Sequence, residues 1–598
     1  MFFRGSLRNL PSAFRAARRG VASVASASTH SGPAVGPAAG SGSGWHGSRR
    51  LMWATMPVVF ATGAALTTYG RTTEEEPTTT RSNIASVPTA DLIRAYLVYT
   101  VCGMPAVVDA APALLDAFSK SRIPGVAAVT NAVIRRTFFS QFVAGEDLPE
   151  TMETIALMNT RGIGALLNYG AEAELGDGLA DAKHALHEHN YRQDMMAIEA
   201  LGEYERRLAE AGGKTGSSQF AVKISGLIDP AVLERASTTL CRLRPVANDQ
   251  PQSASITEIP FPGVPQRSDA AIVAPPAMAN AVVPTIGSFE PQGILATDLN
   301  VTDADMDELN ALWRKMRAMS ALSRDKNVKL LIDAEHAETQ PAMDALTLLL
   351  AQEFNRPQPG KPFAGPIVFG TFQSYLARAP YLLDMMIADA EANGYALGVK
   401  LVRGAYNVAD SARWIKEGRS GTNPIWPNKP ATDRAYNTSV SKVVETMARQ
   451  LDGPNPELAL SAVYATHNPE SVEHVLNELE RTGLVKRQVP KGAEGHMTGA
   501  VAPLVLRDDV RGKVFVAQLY GMRDDLTDKV AETLDSDGLP VALKYIAYGK
   551  LEEVLPYLAR RAIENKSVMA GEGGAAMERK RVMDELWRRW SGAPVTKA

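Results

Sequence analysis

The chain is 598 residues long, 45% hydrophobic and 22% charged, a balance that suits one large globular domain with extensions and excludes a wholly disordered protein. A formal net charge of -3 from mixed signs, with no local basic patch, argues against a nucleic-acid partner and for a small-molecule site. Cys102 and Cys241 are the only two cysteines, which excludes a disulfide scaffold or a four-cysteine zinc site and fits a reducing compartment.

Residues 1–50 carry no Asp or Glu, while Arg4, Arg8, Arg15, Arg18 and Arg19 recur among Ala, Ser, Leu and Phe. That is the composition of a mitochondrial transit peptide; a secretory signal would keep one unbroken apolar core after its basic start. Gly42-Ser-Gly44-Trp-His-Gly47 matches a dinucleotide-binding spacing, but no strand precedes it in this Gly/Ser/Ala-rich stretch, and it reads as accidental. Residues 51–85 follow as an apolar segment and linker. The run Leu51–Gly70 holds no charge and has the length of a membrane span, yet Pro57 and several Thr and Gly weaken it, so a span and a second part of the presequence stand level.

Residues 86–155 are expected to form an N-terminal helical region and 156–570 the main domain, with 571–598 as a C-terminal tail. Within the main domain, 244–300 turns rich in Pro, Ala, Gln and Ser with little periodicity and reads as a poorly ordered surface insert; 484–509 reads as a second insert. His184, His187 and His189 cluster around Glu188 in a helix-like stretch. The first two could share a face and hold a metal, but His189 would point elsewhere, so the segment reads as a solvated polar helix and no metal is assigned.

Eight β-type apolar runs alternate with helical stretches: Gly164–Asn168, Phe220–Ser225, Lys329–Asp333, Ile367–Phe372, Ala396–Val402, Leu458–Thr466, Val514–Leu519 and Pro540–Ile546. Helical periodicity covers Pro341–Phe354, Arg378–Asn393, Thr432–Leu451 and Pro469–Arg481, among others. Repeated βα units imply a parallel sheet covered by helices, and eight of them imply closure into a barrel. Chemistry in such barrels gathers at the C-terminal strand ends. Asn168, Lys223, Asp333 and Gln373 fall at or near the ends of the first four runs. Arg403-Gly404-Ala405-Tyr406, Thr466-His467-Asn468 and Lys544-Tyr545 attend the fifth, sixth and eighth.

At these residues the chain resembles the proline dehydrogenase family in its eukaryotic form. The resemblance rests on Leu331-Ile-Asp-Ala-Glu335, Lys400-Leu-Val-Arg-Gly-Ala-Tyr406, Ala465-Thr-His-Asn468, Gln518-Leu-Tyr-Gly-Met522 and Tyr557-Leu-Ala-Arg-Arg-Ala-Ile-Glu-Asn565. It covers 159–567 apart from the inserts, and implies an α/β fold: a distorted (βα)8 barrel whose last helix lies over the mouth. On that helix Arg560 and Arg561 stand four and three residues before Glu564, so all three can share one broad face. Taken without the resemblance, the same residues describe a solvated helix with ion pairs of about 0.3–0.5 kcal/mol each.

The activity the resemblance implies is oxidation of L-proline to 1-pyrroline-5-carboxylate. No side chain accepts hydride, so a cofactor must; the chain has no credible nicotinamide fingerprint and the family uses FAD. By resemblance, Lys223, Arg560 and Arg561 hold the substrate carboxylate, Tyr545 and Leu519 pack on its ring, and Glu172 pairs with the first arginine. Tyr545 would also crowd a 4-hydroxyl. Gln373, Lys400, Val402, Gly404, Ala405, Thr466, His467 and Glu564 match the family's FAD contacts, with Asp333 beneath the flavin ring; a cation at Lys400 would favour the reduced, anionic ring. The Leu51–Gly70 run adds the expectation of inner-membrane association, matrix-facing, with ubiquinone as electron acceptor. Two other classes remain open: a Schiff-base aldolase using Lys223, and a membrane-tethered scaffold without activity.

Overall fold

The computed structural model describes residues 83–104, 125–170, 180–243, 265, 267–274, 301–418, 423–488, 503–569 and 575–593. The presequence, the Leu51–Gly70 run, the Gly42 motif and Glu172 lie outside these residues. Among the described residues no helix is long and apolar enough to cross a membrane.

Eight strands, β1 (Ile163–Tyr169), β2 (Gln219–Val222), β3 (Lys329–Ile332), β4 (Val368–Gln373), β5 (Gly398–Val402), β6 (Ser461–Ala465), β7 (Val514–Leu519) and β8 (Ala542–Tyr548), run parallel in sequence order. β8 pairs back onto β1, Ala542 opposite Ile163 through Tyr548 opposite Tyr169, which closes the barrel. The expected eight units are present. Their ends differ by up to three residues: Leu458, expected to open the sixth run, closes a 3-10 turn (Pro456–Leu458), and β6 begins at Ser461.

Among the helices are α1 (Thr89–Cys102), α2 (Ala180–Glu210), α3 (Pro230–Leu243), α4 (Asp303–Lys326), α5 (Gln340–Phe354), α6 (Ala379–Asn393), α7 (Lys429–Leu451), α8 (Pro469–Arg481), α9 (Asp524–Thr533), α10 (Leu551–Met569) and α11 (Ala575–Ser591). Capping sets several starts. Thr302 and Asp305 form a reciprocal capping box on α4, and Asn428 and Asn468 accept from Ala431 and Ser471 N–H to open α7 and α8.

Alternation along each strand fills the barrel. Leu166, Ala221, Leu331, Phe369, Val463, Phe515 and Leu543 meet in one buried cluster, nearly one per strand. β5 supplies Gly398 at this level, where a Cβ would stand 2.7 Å from Phe369 Cγ. The glycine leaves space for the Phe369 ring. Two residues further along these rows lie Lys223, Asp333, Lys400 and Tyr545, so the period of two that packs the floor also brings the polar residues to the mouth.

Four parts of the chain differ from expectation. In the region 86–155, expected to be helical, Val143–Gly145 is a short strand that pairs parallel with β8. Inside the insert 244–300, Ala270–Val273 is a short helix with Ala270, Ile272 and Val273 buried in the core alongside α4 and α5 residues; its local apolar run fills an interhelical gap that composition averaging hid. In the insert 484–509, Val485–Arg487 pairs antiparallel with Leu504–Leu506, and Leu484, Val485, Leu504 and Leu506 are buried. The tail is mostly α11, which packs on α1 through Val582, Leu92 and Tyr99.

Candidate active site

Asp333 leaves the end of β3 with its N–H bonded to Val222 O at 3.0 Å. Its carboxylate takes Lys400 Nζ on Oδ1 at 2.5 Å and the Tyr545 hydroxyl on Oδ2 at 2.7 Å. Lys400 Nζ also stands 5.0 Å from the Tyr545 ring centre, a cation–π approach. Lys400 and Asp333 side chains are only 6% and 13% exposed. Burial, and then the neighbouring Asp333 carboxylate, push the Tyr545 phenol well above its ordinary pKa. Tyr545 therefore stays protonated and donates.

Beside this triangle, Gln373 Nε2 donates to Glu335 O at 2.7 Å, and Val402 O accepts from Ser374 N–H at 2.8 Å. Gly404 adopts φ +103°, and a Cβ there would collide with the Tyr375 ring and lie 3.0 Å from Gln373 Oε1. Only glycine fits this bend; the next residue, Ala405, is exposed. Arg403 donates to Asp433 at 2.7 Å, Thr466 Oγ1 at 2.6 Å and Ser471 Oγ at 2.7 Å, with its guanidinium over Tyr436. Sequence reasoning noted Arg403 without giving it a role; its fork ties the ends of β5 and β6 to α7 and α8.

His467 follows β6. Its Nε2 accepts from Leu519 N–H at 3.3 Å, and burial, reinforced by the charges of Lys544, Arg561 and Arg523, pulls its pKa down to about 3. The ring is neutral with its proton on Nδ1. That Nδ1 is buried and has no hydrogen-bond partner among the described residues.

On α10, Arg561 is 6% exposed, bonds Glu564 Oε1 at 2.6 Å and lies over the Tyr557 ring. Its charge reaches both His467 and Tyr545. Arg560 instead lines a cavity of about 940 Å³ together with Lys223, Glu335, Tyr406 and Tyr169. Glu335, which motif reading passed over as a separate group, is a buried carboxyl raised by desolvation; it accepts from Ser225 N–H at 2.9 Å. A second cavity of about 410 Å³ adjoins Gly404 and is lined by Arg403, Trp426, Asn428 and Lys429. No motif pointed to those last three residues.

The three histidines of α2 do not converge. His187 faces the larger cavity, while His189 Nε2 lies 3.3 Å from the Tyr169 hydroxyl, which donates to Glu553 at 3.0 Å. Among the described residues the one cluster with metal-ligand composition is His336, Glu338 and Asp410. Asp410 there is already held by His336 Nδ1 at 2.7 Å, Tyr375 OH at 2.6 Å and Ala337 N–H at 3.0 Å.

A closed (βα)8 barrel with a buried acid–lysine–tyrosine triangle and a two-arginine helix at its C-terminal mouth defines a barrel enzyme built for a small, charged substrate. The proline dehydrogenase family model matches residues 151–571. The chain belongs to the proline dehydrogenase family, and it is an oxidoreductase. It is 30% identical over 504 residues to mouse (Mus musculus) hydroxyproline dehydrogenase, covering 84% of this chain and 92% of that one. Mitochondrial proline dehydrogenase 1 of Dictyostelium discoideum is 25% identical over 484 residues, 80% and 70% of the two chains, and the human (Homo sapiens) protein of that name is 24% identical over 588 residues, 84% and 87%. Among solved structures, proline utilization A of Bdellovibrio bacteriovorus aligns at TM-score 0.49 and 12% identity; the match covers 88% of this chain and 42% of that longer one.

Proposed function

We propose that this chain oxidises L-proline to 1-pyrroline-5-carboxylate with FAD as cofactor, in the mitochondrion, and passes the electrons to ubiquinone. The observation that carries the reading is the Asp333–Lys400–Tyr545 triangle, with the charge of Arg561 acting on Tyr545 and Arg560 lining the 940 Å³ cavity beside Lys223. Three features fit a flavin. His467 Nδ1–H is a buried donor lacking an acceptor among the described residues, Gly404 permits close backbone approach, and Lys400 is a buried cation. Bound there, the flavin would supply the acceptor for hydride leaving the carbon beside the ring nitrogen.

The chain's own residues bind and orient. Lys223, Arg560 and Arg561 give the substrate carboxylate cationic donors, each charged hydrogen bond worth about 1.5–3 kcal/mol. Leu519 and Tyr545 offer the ring an apolar wall, and Glu172 is assigned to pair with Arg560. Gln373, Lys400, Val402, Gly404, Ala405, Thr466, His467 and Glu564 would hold the cofactor above Asp333. The 410 Å³ cavity, with Arg403, Asn428 and Lys429 on its walls, offers donors for the cofactor's phosphates. The acid-free, arginine-bearing N-terminus and the relatives named mitochondrial support the location; the Leu51–Gly70 run supports contact with a membrane-dissolved quinone.

The mouse relative's name raises hydroxyproline as the substrate. Tyr545 argues for proline, because its hydroxyl is anchored on Asp333 and its ring holds a fixed place against the substrate. Initial rates with each amino acid and a soluble quinone decide the matter. The account expects proline to be preferred, and Tyr545→Ser to narrow the gap. Preference of the wild-type enzyme for hydroxyproline would overturn the substrate assignment.

A further inference from the structure

The end of β7 and the loop after it bind the Thr466–His467 segment. Gln518 Nε2 donates to Thr466 O at 3.3 Å, Leu519 N–H to His467 Nε2 at 3.3 Å, and Arg523 NH1 to His467 O at 2.7 Å. Of these donors Arg523 has the least ordinary setting. It is 5% exposed and adopts φ +51°, ψ +48°, a left-handed conformation that residues other than glycine, Asn and Asp seldom take and that persists only where surroundings impose it. What imposes it is visible: the guanidinium forks onto Asp525 at 2.8 and 2.7 Å.

Asp525 is itself braced from outside the barrel. Its N–H donates to Glu578 Oε1 of α11 at 2.6 Å. Glu578 is 2% exposed and pairs with Arg581 at 3.5 Å, and Arg581 also bonds Asp528. The family match ends at residue 571, so α11 lies beyond it, yet its buried acid stands three hydrogen-bonded links from His467, through Asp525 and Arg523.

We propose that Arg523 is a positioning residue for the oxidation: clamped by Asp525 and, through it, by Glu578 of α11, it fixes the main chain of His467 and so aims the His467 Nδ1–H at the flavin. The proposal rests on the flavin reading above. The planar fork is essential, because lysine could reach His467 O but could not also grip both Asp525 oxygens.

The test uses the full-length holoenzyme and the variants Arg523→Met, Arg523→Lys and Glu578→Ala. Flavin affinity is read by fluorescence titration after cofactor removal, and the His467 tautomer by nitrogen-15 NMR of the flavin-free chain. Arg523→Met is expected to weaken flavin binding roughly 2- to 13-fold, the loss of one hydrogen bond from the neutral His467 ring, and to mix the His467 tautomers, with KM for proline little changed. Arg523→Lys should recover part of this, and Glu578→Ala should shift both readouts the same way by less. Glu578→Ala also covers the case in which Arg523→Met fails to fold, since it touches neither His467 nor the flavin.

Wild-type flavin affinity and a wild-type tautomer in both Arg523→Met and Glu578→Ala would overturn the proposal. An effect in Arg523→Met with Glu578→Ala silent would overturn the share given to α11. If the unmodified chain takes up no flavin, the cofactor reading fails instead, and the NMR readout still judges whether Arg523 sets His467.

Discussion

Removing the Asp333 carboxylate should cost more stability than removing both it and its lysine. Lys400 is 6% exposed and its ammonium lies 2.5 Å from Asp333 Oδ1. In Asp333→Ala that ammonium stays buried without its counter-charge, which costs about 3–5 kcal/mol, and the Tyr545 hydroxyl loses its acceptor as well. With an unfolding entropy of about 2.1 cal/mol/K per residue, a chain of 598 residues should lose about 2–4 °C of Tm. Lys400→Met leaves Asp333 with the Tyr545 hydrogen bond and should cost less. The double variant Asp333→Ala/Lys400→Met removes the stranded charge and should recover about 2 kcal/mol or more of the single-variant loss. Thermal melts of the four proteins, followed by circular dichroism at one scan rate, complete the cycle. Strict additivity in the double variant, or a loss under about 1 kcal/mol in Asp333→Ala, would refute the claim that the pair is a desolvated unit.

Arg561→Met should raise KM for proline roughly 10- to 150-fold while the protein keeps its flavin; steady-state kinetics with an absorbance spectrum check both halves. Gly404→Ala should lose flavin affinity and stability together, because the new methyl meets Tyr375 at a φ of +103°, and a flavin titration with a melt measures it. Acid should weaken the fold through His467. Its pKa falls from 6.5 unfolded to about 3 folded, so between those values the unfolded chain binds the extra proton and stability drops as pH falls through the window. His467→Gln should lack that limb of the pH–stability profile, and an unchanged acid limb would contradict the buried, neutral assignment.

The barrel was legible because strand alternation and barrel closure are local and repetitive. Leu331 and Asp333, or Leu543 and Tyr545, are two residues apart, and the same period that buries the first lifts the second to the mouth. Gly404 was singled out in the Arg403–Tyr406 segment after the fifth run, but its left-handed bend against Tyr375 was not. Longer connections were not legible. Arg523 takes a left-handed conformation only because His467 O and Asp525 hold it, and nothing in its neighbours' types announces that. The region 571–598 reads as a polar tail until Val582 is seen against Leu92 and Tyr99, and the five residues Ala270–Ala274 inside a low-complexity stretch are too few to show periodicity. Trp426, Asn428 and Lys429 reach the second cavity from the loop before α7 and its first residue, whose course depends on the rest of the fold.

If Asp333, Lys400 and Tyr545 line a flavin site that oxidises proline, the colour of the protein reports it. The most direct measurement is the visible spectrum of the purified protein, supplied with FAD and then mixed with L-proline in the absence of oxygen. Flavin bands that bleach on addition of proline are the expected result. A protein that stays colourless after reconstitution, or bands that proline leaves untouched, would contradict the assignment.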